Sequence, residues 1–295
     1  MAKIITYDDR IKKISKSLNI HTLVKNLDII NTYRVKKGYY NKNFVHYTSA
    51  ENLVKMISGK KIRLTRIGNS NDSNEKKLCI KDDLFSMSFS RNPSETVLGY
   101  ALYGGNGTPI RISFKYEKLR NYIKYLKKDR MNKTVEFCDV LYYQYYGKNV
   151  KTNNSDYFLG VRPGESLDNN IIPQIFSFIN GFEYRPKLKK KARELSGKIK
   201  LSIWIDEQES RLLIQSNEKN EGNKSPEYIY IDLTDDLLSS MEIRFAPWLD
   251  RNTINKAKCD IKTEIKKNYP TISAPQMKDS SFYGTVQQYV VTRKP

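Results

Sequence analysis

An α+β fold is predicted for this chain, and three observations predict it. Strand-like and helix-like segments are mixed along the sequence without the strict alternation of a doubly wound sheet. Hydrophobic residues make up 39% of the 295, with 21 Tyr and 11 Phe, so there is apolar area for a sizeable core. The strand candidates alternate apolar with small polar side chains, the mark of a sheet with one half-buried face.

The elements follow in order. Ile11, Ile14, Leu18, Leu23, Leu27 and Ile30 recur at helical spacing between lysines and predict one or two amphipathic helices. A loop rich in Gly, Tyr and Asn, Lys37 to Lys42, precedes a short strand over Phe44–Thr48. Ser49 then reads as the N-cap of a helix through Ile57. Ile62 to Thr65 alternates as a strand, and residues 68–74 form a turn cluster. Leu84–Ser90 alternates cleanly as a strand, followed by a helix over Ser94–Tyr103 that Gly104, Gly105 and Gly107 stop. Pro109–Phe114 predicts a strand, Leu119–Lys127 a helix, and Phe137–Tyr146 a strand pair or one long strand. Residues 148–175 read as a loop-rich insertion, and Ile175–Leu195 as a helix broken near Pro186. Lys200–Trp204 and Ser210–Ile214 predict strands on either side of an acidic step. Tyr228–Leu233 predicts a strand, Ile254–Lys266 a helix and Gly284–Val291 a last strand. The expected organisation is an N-terminal helical segment, residues 1–43, and one domain over 44–295.

Charge narrows the partners. There are 52 Lys+Arg against 32 Asp+Glu, a formal charge of +20, with basic residues recurring along the chain through Lys12 and on to Lys294. Such a surplus concentrates polyanions and speeds encounter with them, so a nucleic acid is the expected large partner. The densest basic run holds Lys187, Lys189, Lys190 and Lys191, the expected nucleic-acid contacts, although such runs also serve as solvated helix faces. The first residues lack the apolar core of a signal peptide, and no stretch has the roughly 18 uncharged apolar residues of a spanning helix. A soluble cytoplasmic protein with no membrane partner is therefore expected. Cys79, Cys138 and Cys259 are odd in number and far apart, which fits a reducing compartment rather than a disulfide framework. His21 and His46 are the only histidines, so a metal site built on His and Cys is not expected.

Three local patterns carry possible chemistry. Phe44-Val45-His46-Tyr47-Thr48-Ser49 places a histidine near a strand end, with Arg63 and Asn71-Asp72-Ser73-x-Glu75 downstream. Ser86-Met87-Ser88-Phe89-Ser90 is followed by Tyr100-x-x-Tyr103-Gly104-Gly105. Lys200-x-x-x-Trp204 leads into Glu207-Gln208-Glu209-x-Arg211. Each has a plain alternative. A lone histidine is usually structural, and alternating serines often form only a solvent face. Carboxylates at i and i+2 on an extended segment project to one side, as on an exposed face with Arg211 nearby.

Together, in this order, the patterns resemble a family of bacterial and phage proteins known as a domain of unknown function. Its marks are a His-Tyr-Thr start, an Asn-Asp-x-x-Glu turn, a Ser-Phe-Ser strand with an aromatic-rich helix ending in Gly, and a Trp-x-x-Glu-x-Glu-x-Arg step. The resemblance covers about residues 44–255 apart from the stretch near 148–175. Where that family has Trp before the second-motif tyrosine, this chain has Tyr100. The family is in turn similar to the ADP-ribosyltransferases, which follow the order His or Arg, then Ser, then Glu.

The second resemblance implies a mixed or antiparallel split β-sheet core with peripheral helices, and NAD as substrate without a metal. It implies that Glu209 stabilises the positive charge developing on ribose as nicotinamide leaves, and that Glu207 orients or deprotonates the acceptor. It implies that His46, with Tyr47 and Thr48, holds the NAD ribose, that Ser88 and Ser90 brace the pocket, and that Tyr100 or Tyr103 stacks on nicotinamide. His46, Ser88 and Glu209 are then expected to share one cleft. With the charge, this predicts transfer of ADP-ribose from NAD to a nucleic acid, RNA favoured, by a toxin or phage-defence effector, with room for a neutralising antitoxin or inhibitor protein. ADP-ribosylation of a protein, and non-catalytic nucleic-acid binding, remain as alternatives.

Overall fold

The computed structural model describes residues 43–69, 83–92, 94–128, 133–143, 196–201, 207–216 and 225–283. The N-terminal helical segment, residues 71–75, the loop-rich insertion, the 175–195 helix with its lysine run, Trp204 and the 284–291 strand lie outside the described residues. The described residues fall into two compact units. One gathers 64–69, 83–88, 133–143, 196–201, 207–216 and 225–229; the other gathers 43–63, 89–92, 94–128 and 230–283.

The second unit is built on β1 (Asn43–Ser49), which pairs antiparallel with β4 (Pro109–Lys115) along its whole length. It also meets the end of β3 (Leu84–Ser90) at Val45 and Ser90. β10 (Glu242–Phe245) lies antiparallel beside β4, and β11 (Gln276–Lys278) lies parallel to β10. The register places Phe44, His46 and Thr48 on one face with Phe114, Ile112 and Ile110, and Val45 and Tyr47 on the other. β4 is buried from Ile110 to Phe114, as expected of a strand covered on both faces.

Helix starts follow capping chemistry. Ser49 caps α1 (Ala50–Gly59) by accepting from the Asn52 amide, as the sequence predicts. The helix runs two residues past Ile57 and ends where Lys60 adopts φ 52°, its amide bonding back to Ile57. Thr96 caps α2 (Val97–Tyr103), Thr234 caps α4 (Asp235–Ser239), and Asp250 caps α5 (Arg251–Asn268). α3 (Tyr116–Lys128) buries Leu119, Tyr122, Ile123 and Leu126, the i, i+3, i+4, i+7 stripe of an amphipathic helix. α5 buries Ile254, Ala257, Ile261 and Ile265 by the same rule and packs against α1.

In the first unit, β5 (Lys133–Asp139) and β8 (Glu209–Ser216) pair antiparallel over seven register positions. β8 also pairs with β3, and the end of β2 (Lys61–Arg66) pairs with β3 at Thr65–Ser86 and Arg66–Phe85. β6 (Leu141–Tyr143) and β7 (Ile199–Leu201) form a short parallel pair. Ile67, Leu84, Cys138 and Leu213 pack together in its core. β9 (Tyr228–Asp232), which begins in the first unit and ends in the second, has the alternation expected of its sequence, with Ile229 and Ile231 buried. Among the described pairings most are antiparallel, so the chain is an α+β protein with a mostly antiparallel sheet and several helices. Among the described residues no helix is long and apolar enough to cross a membrane.

Candidate active site

The most heavily charged cluster of the first unit lies where β8 begins. Glu209 is its first residue and its side chain is only 5% exposed. Arg211, two residues along the same strand, donates from Nε to Glu209 Oε1 at 2.6 Å and from Nη2 to Oε2 at 2.9 Å. This is the bidentate fork that a guanidinium makes with a carboxylate. Lys200, from β7, donates to Oε2 of Glu209 at 3.4 Å and to Oε2 of Glu207 at 2.7 Å. Ser88 of β3 donates a further hydrogen bond to Glu209.

The plain sequence reading, an exposed acidic face with Arg211 nearby, does not hold for Glu209, because the strand is buried along nearly its whole length. The i, i+2 geometry does not hold either. Glu207 precedes the strand, and Gln208 between the two acids has φ 43°, in the left-handed region that non-glycine residues seldom adopt. The two carboxylates nevertheless meet on one ammonium, because Lys200 reaches both.

Burial alone would raise the Glu209 carboxyl. The charges of Arg211 and Lys200, with hydrogen bonds from Arg211 and Ser88, outweigh it and hold the pKa down at about 2. Lys200 shows the mirror image: burial lowers it, but Glu209 and Glu207 overcome that and raise it. Glu209 is therefore a fixed anion at any physiological pH. A carboxylate has about four acceptor positions. Arg211 Nε, Arg211 Nη2, Lys200 and Ser88 supply four donors, so a ribose hydroxyl would have to displace one of them. Ser88 is the like-for-like exchange, one hydroxyl for another, and it is exposed while Glu209, Arg211 and Lys200 are buried. Glu207, with 17% of its side chain exposed, is the acid nearer solvent.

Gly197 completes the cluster from behind. Its carbonyl accepts from Arg211 Nη1 at 3.1 Å, its φ is 74°, and an added Cβ would lie 2.5 Å from Ile67 Cδ1. Ser210, facing the other way, donates to Asp139 at 2.6 Å in the same buried strand pair. Lys200 carries the largest share of what the motif did not disclose. It stands at the head of the quoted pattern, but no role follows from its spacing.

The remaining candidates among the described residues belong to the second unit. His46 is half-buried on β1, opposite Ile112, with its ring 6.1 Å from that of Phe89. Thr48 is buried and accepts from Asn52 Nδ2 at 3.3 Å, tying the strand to α1. Tyr47 Oη accepts from the Thr96 amide at 3.2 Å. α2 can lie on the Tyr47 ring because residue 99 is glycine; a Cβ there would stand 2.6 Å from Tyr47 Cζ. Tyr100 is 1% exposed and packs edge-on against Tyr47 at 5.1 Å and Trp248 at 5.9 Å. Tyr103, 43% exposed, offers the open ring of the two tyrosines. Ser90 accepts from the Asn92 amide at 3.1 Å and so shapes the turn leaving β3. Lys187, Lys189, Lys190 and Lys191 lie outside the described residues. Among the described residues, no three His, Cys, Asp or Glu side chains gather as a metal site would require.

No protein-family model matches the chain, and no curated protein does. Among solved structures it is similar to DarT of Thermus sp. 2.9 in complex with NAD+, with 12% identity, 82% of this chain and 97% of that one covered, and a TM-score of 0.32. For the same protein in complex with ADP-ribosylated ssDNA the identity is 12%, the coverage 82% and 96%, and the TM-score 0.33. At that level of similarity no residue of this chain is assigned by correspondence.

Proposed function

We propose that the chain is an ADP-ribosyltransferase that moves ADP-ribose from NAD to a nucleic acid, RNA favoured, as a toxin or defence effector. The observation that carries this reading is the acidic step itself. A buried, permanently ionised Glu209 is locked by Arg211, and Glu207 stands beside it nearer solvent on a shared Lys200.

As the nicotinamide–ribose bond breaks, its electron pair leaves with nicotinamide and positive charge grows on the anomeric carbon. A carboxylate that needs no reorientation stabilises that charge without reorganisation cost. Glu209 fills this role, exchanging its Ser88 hydrogen bond for one from a ribose hydroxyl. Glu207 takes the proton of the acceptor nucleophile as the new bond forms at the anomeric carbon. On the same reading, His46, Tyr47 and Thr48 hold the NAD ribose, Ser90 braces the pocket and Tyr103 stacks on nicotinamide. Tyr100 is assigned to the support of Tyr47. The surplus of basic residues holds the acceptor strand.

A second reading, a non-catalytic nucleic-acid-binding protein, is favoured by the filled acceptor positions of Glu209. Incubation of the full chain with NAD labelled in its adenylate half, alongside RNA, DNA and lysate protein, separates the two. Label in RNA supports the proposal and label in DNA moves the acceptor. Label in protein replaces the acceptor class, and no transfer with retained RNA binding leaves the second reading.

A further inference from the structure

The register of the second unit sets four side chains in one row. Tyr47 of β1 faces Arg111 of β4, Arg111 faces Arg244 of β10, and Arg244 faces Lys278 of β11. Directly opposed residues point to the same side of a sheet at about 5 Å, and like charges so placed repel. Three cations on neighbouring strands thus share one face, with Arg111 only 5% exposed. Arg244 donates to Glu95 at 3.0 Å and to Glu242 at 2.8 Å, and Lys278 donates to Glu242 at 2.6 Å. Glu95 in turn accepts from the hydroxyls of Ser280 and Ser281, so it is shared rather than given wholly to the row.

A separate observation comes from the helix above. The Tyr100 side chain is 1% exposed, and its hydroxyl has no hydrogen-bond partner among the described residues. Burying a hydroxyl without an acceptor costs free energy. Burial, then Glu95 and Tyr47, push its ionisation far up against the pull of Arg111 and Arg244. It therefore remains an O–H donor, held among the same charged groups as the row.

We propose that Arg111, Arg244 and the Tyr100 hydroxyl bind a phosphate group of a nucleotide ligand, with Lys278 as a charge at the rim. Guanidinium N–H donors suit phosphate oxygens, and an anion beside Arg111 and Arg244 meets two positive charges at once. Lys278, with 48% of its side chain exposed, adds attraction without fixing geometry. For the pyrophosphate of NAD the assignment deepens the transferase reading and rests on it. For inorganic pyrophosphate or ADP it stands by itself.

The test is calorimetric titration of the full chain with inorganic pyrophosphate, ADP and NAD at low salt. Tyr100→Phe removes one hydroxyl and keeps the buried ring, so it should bind pyrophosphate and ADP about tenfold more weakly, the scale of one charge-assisted hydrogen bond. Its melting temperature should be unchanged or raised. Lys278→Met should weaken binding about threefold with the fold intact. Equal binding by Tyr100→Phe and wild type, or no binding of pyrophosphate and ADP by the wild type, overturns the proposal. Pyrophosphate binding that depends on Tyr100, in a protein that neither binds nor cleaves NAD, upholds the phosphate site and removes the transferase reading. NAD turnover with KM unchanged by Tyr100→Phe does the reverse.

Discussion

Glu209→Gln tests stability and chemistry at once, and the structure says the two must be separated. The substitution keeps shape and removes a charge that Arg211 and Lys200, 3% and 9% exposed, both contact. The carboxyl is held at about 2 against an ordinary 4.5, and a shift of that size corresponds to about 3 kcal/mol of stability at neutral pH. That agrees with the 3–5 kcal/mol typical of breaking a buried pair by removing one partner. At about 2–4 °C per kcal/mol, Glu209→Gln should melt roughly 6–12 °C below wild type at pH 7. Because the folded pKa is depressed, the contribution is present above about pH 4.5 and is lost as pH falls through about 2. The gap between wild type and variant should therefore close over that window. Glu209→Gln combined with Arg211→Met replaces the pair by neutral side chains and should recover much of the lost stability. ADP-ribosyl transfer, if Glu209 carries it, should stay about a hundredfold or more down in the recovered double variant. Thermal unfolding followed by circular dichroism from pH 2 to 7 reads the stability terms. A Glu209→Gln protein that melts with wild type at pH 7 refutes the buried-pair reasoning.

Two further outcomes follow from the same geometry. Glu207→Gln leaves Lys200 its contact with Glu209, so it should cost about 1 kcal/mol or less while lowering transfer to RNA about a hundredfold, as read by label incorporation alongside urea unfolding. Gly197→Ala forces a Cβ onto a φ of 74° and toward Ile67, and should destabilise by about 1–3 kcal/mol in urea titration.

Much of the fold was legible because long, periodic segments declare themselves. Leu84–Ser90 is a strand with the predicted bounds, and α3 and α5 contain the predicted helices with two to three further residues at most ends. The short elements α4, β10 and β11 were not legible, since three to five residues show too little of either period. β8 gave only part of its signal: both its faces are covered, so polar Ser210 and Arg211 are buried along with Leu212. The acidic step could be found as a motif, but the saturation of Glu209 could not. It depends on Lys200 and Ser88, which arrive from other strands, and on a left-handed Gln208 that no turn residue announces. The row Tyr47–Arg111–Arg244–Lys278 is likewise invisible in sequence, because only strand register puts it together.

Depth divides the basic residues into two groups with different consequences. Arg211 and Lys200 each meet a carboxylate within 3.0 Å, so their charge is cancelled close by and little of it is felt beyond a Debye length. Arg120, Lys124, Lys127 and Lys128 stand exposed on α3, and with the other surface lysines they carry the surplus of +20 outward. A polyanion meets the second group, and releases about 0.7–0.9 counterions for each phosphate contacted. Changing Arg120, Lys124, Lys127 and Lys128 to Gln should therefore flatten the log–log salt dependence of single-stranded RNA binding, measured by filter binding without NAD, and leave the melting temperature near wild type. Replacing Lys187, Lys189, Lys190 and Lys191 should flatten it further if that run contacts the strand. Glu209→Gln with Arg211→Met, which removes one buried charge of each sign, should leave the slope unaltered. A slope that follows the buried pair and ignores the exposed helix would mean that the surplus charge does not hold the nucleic acid.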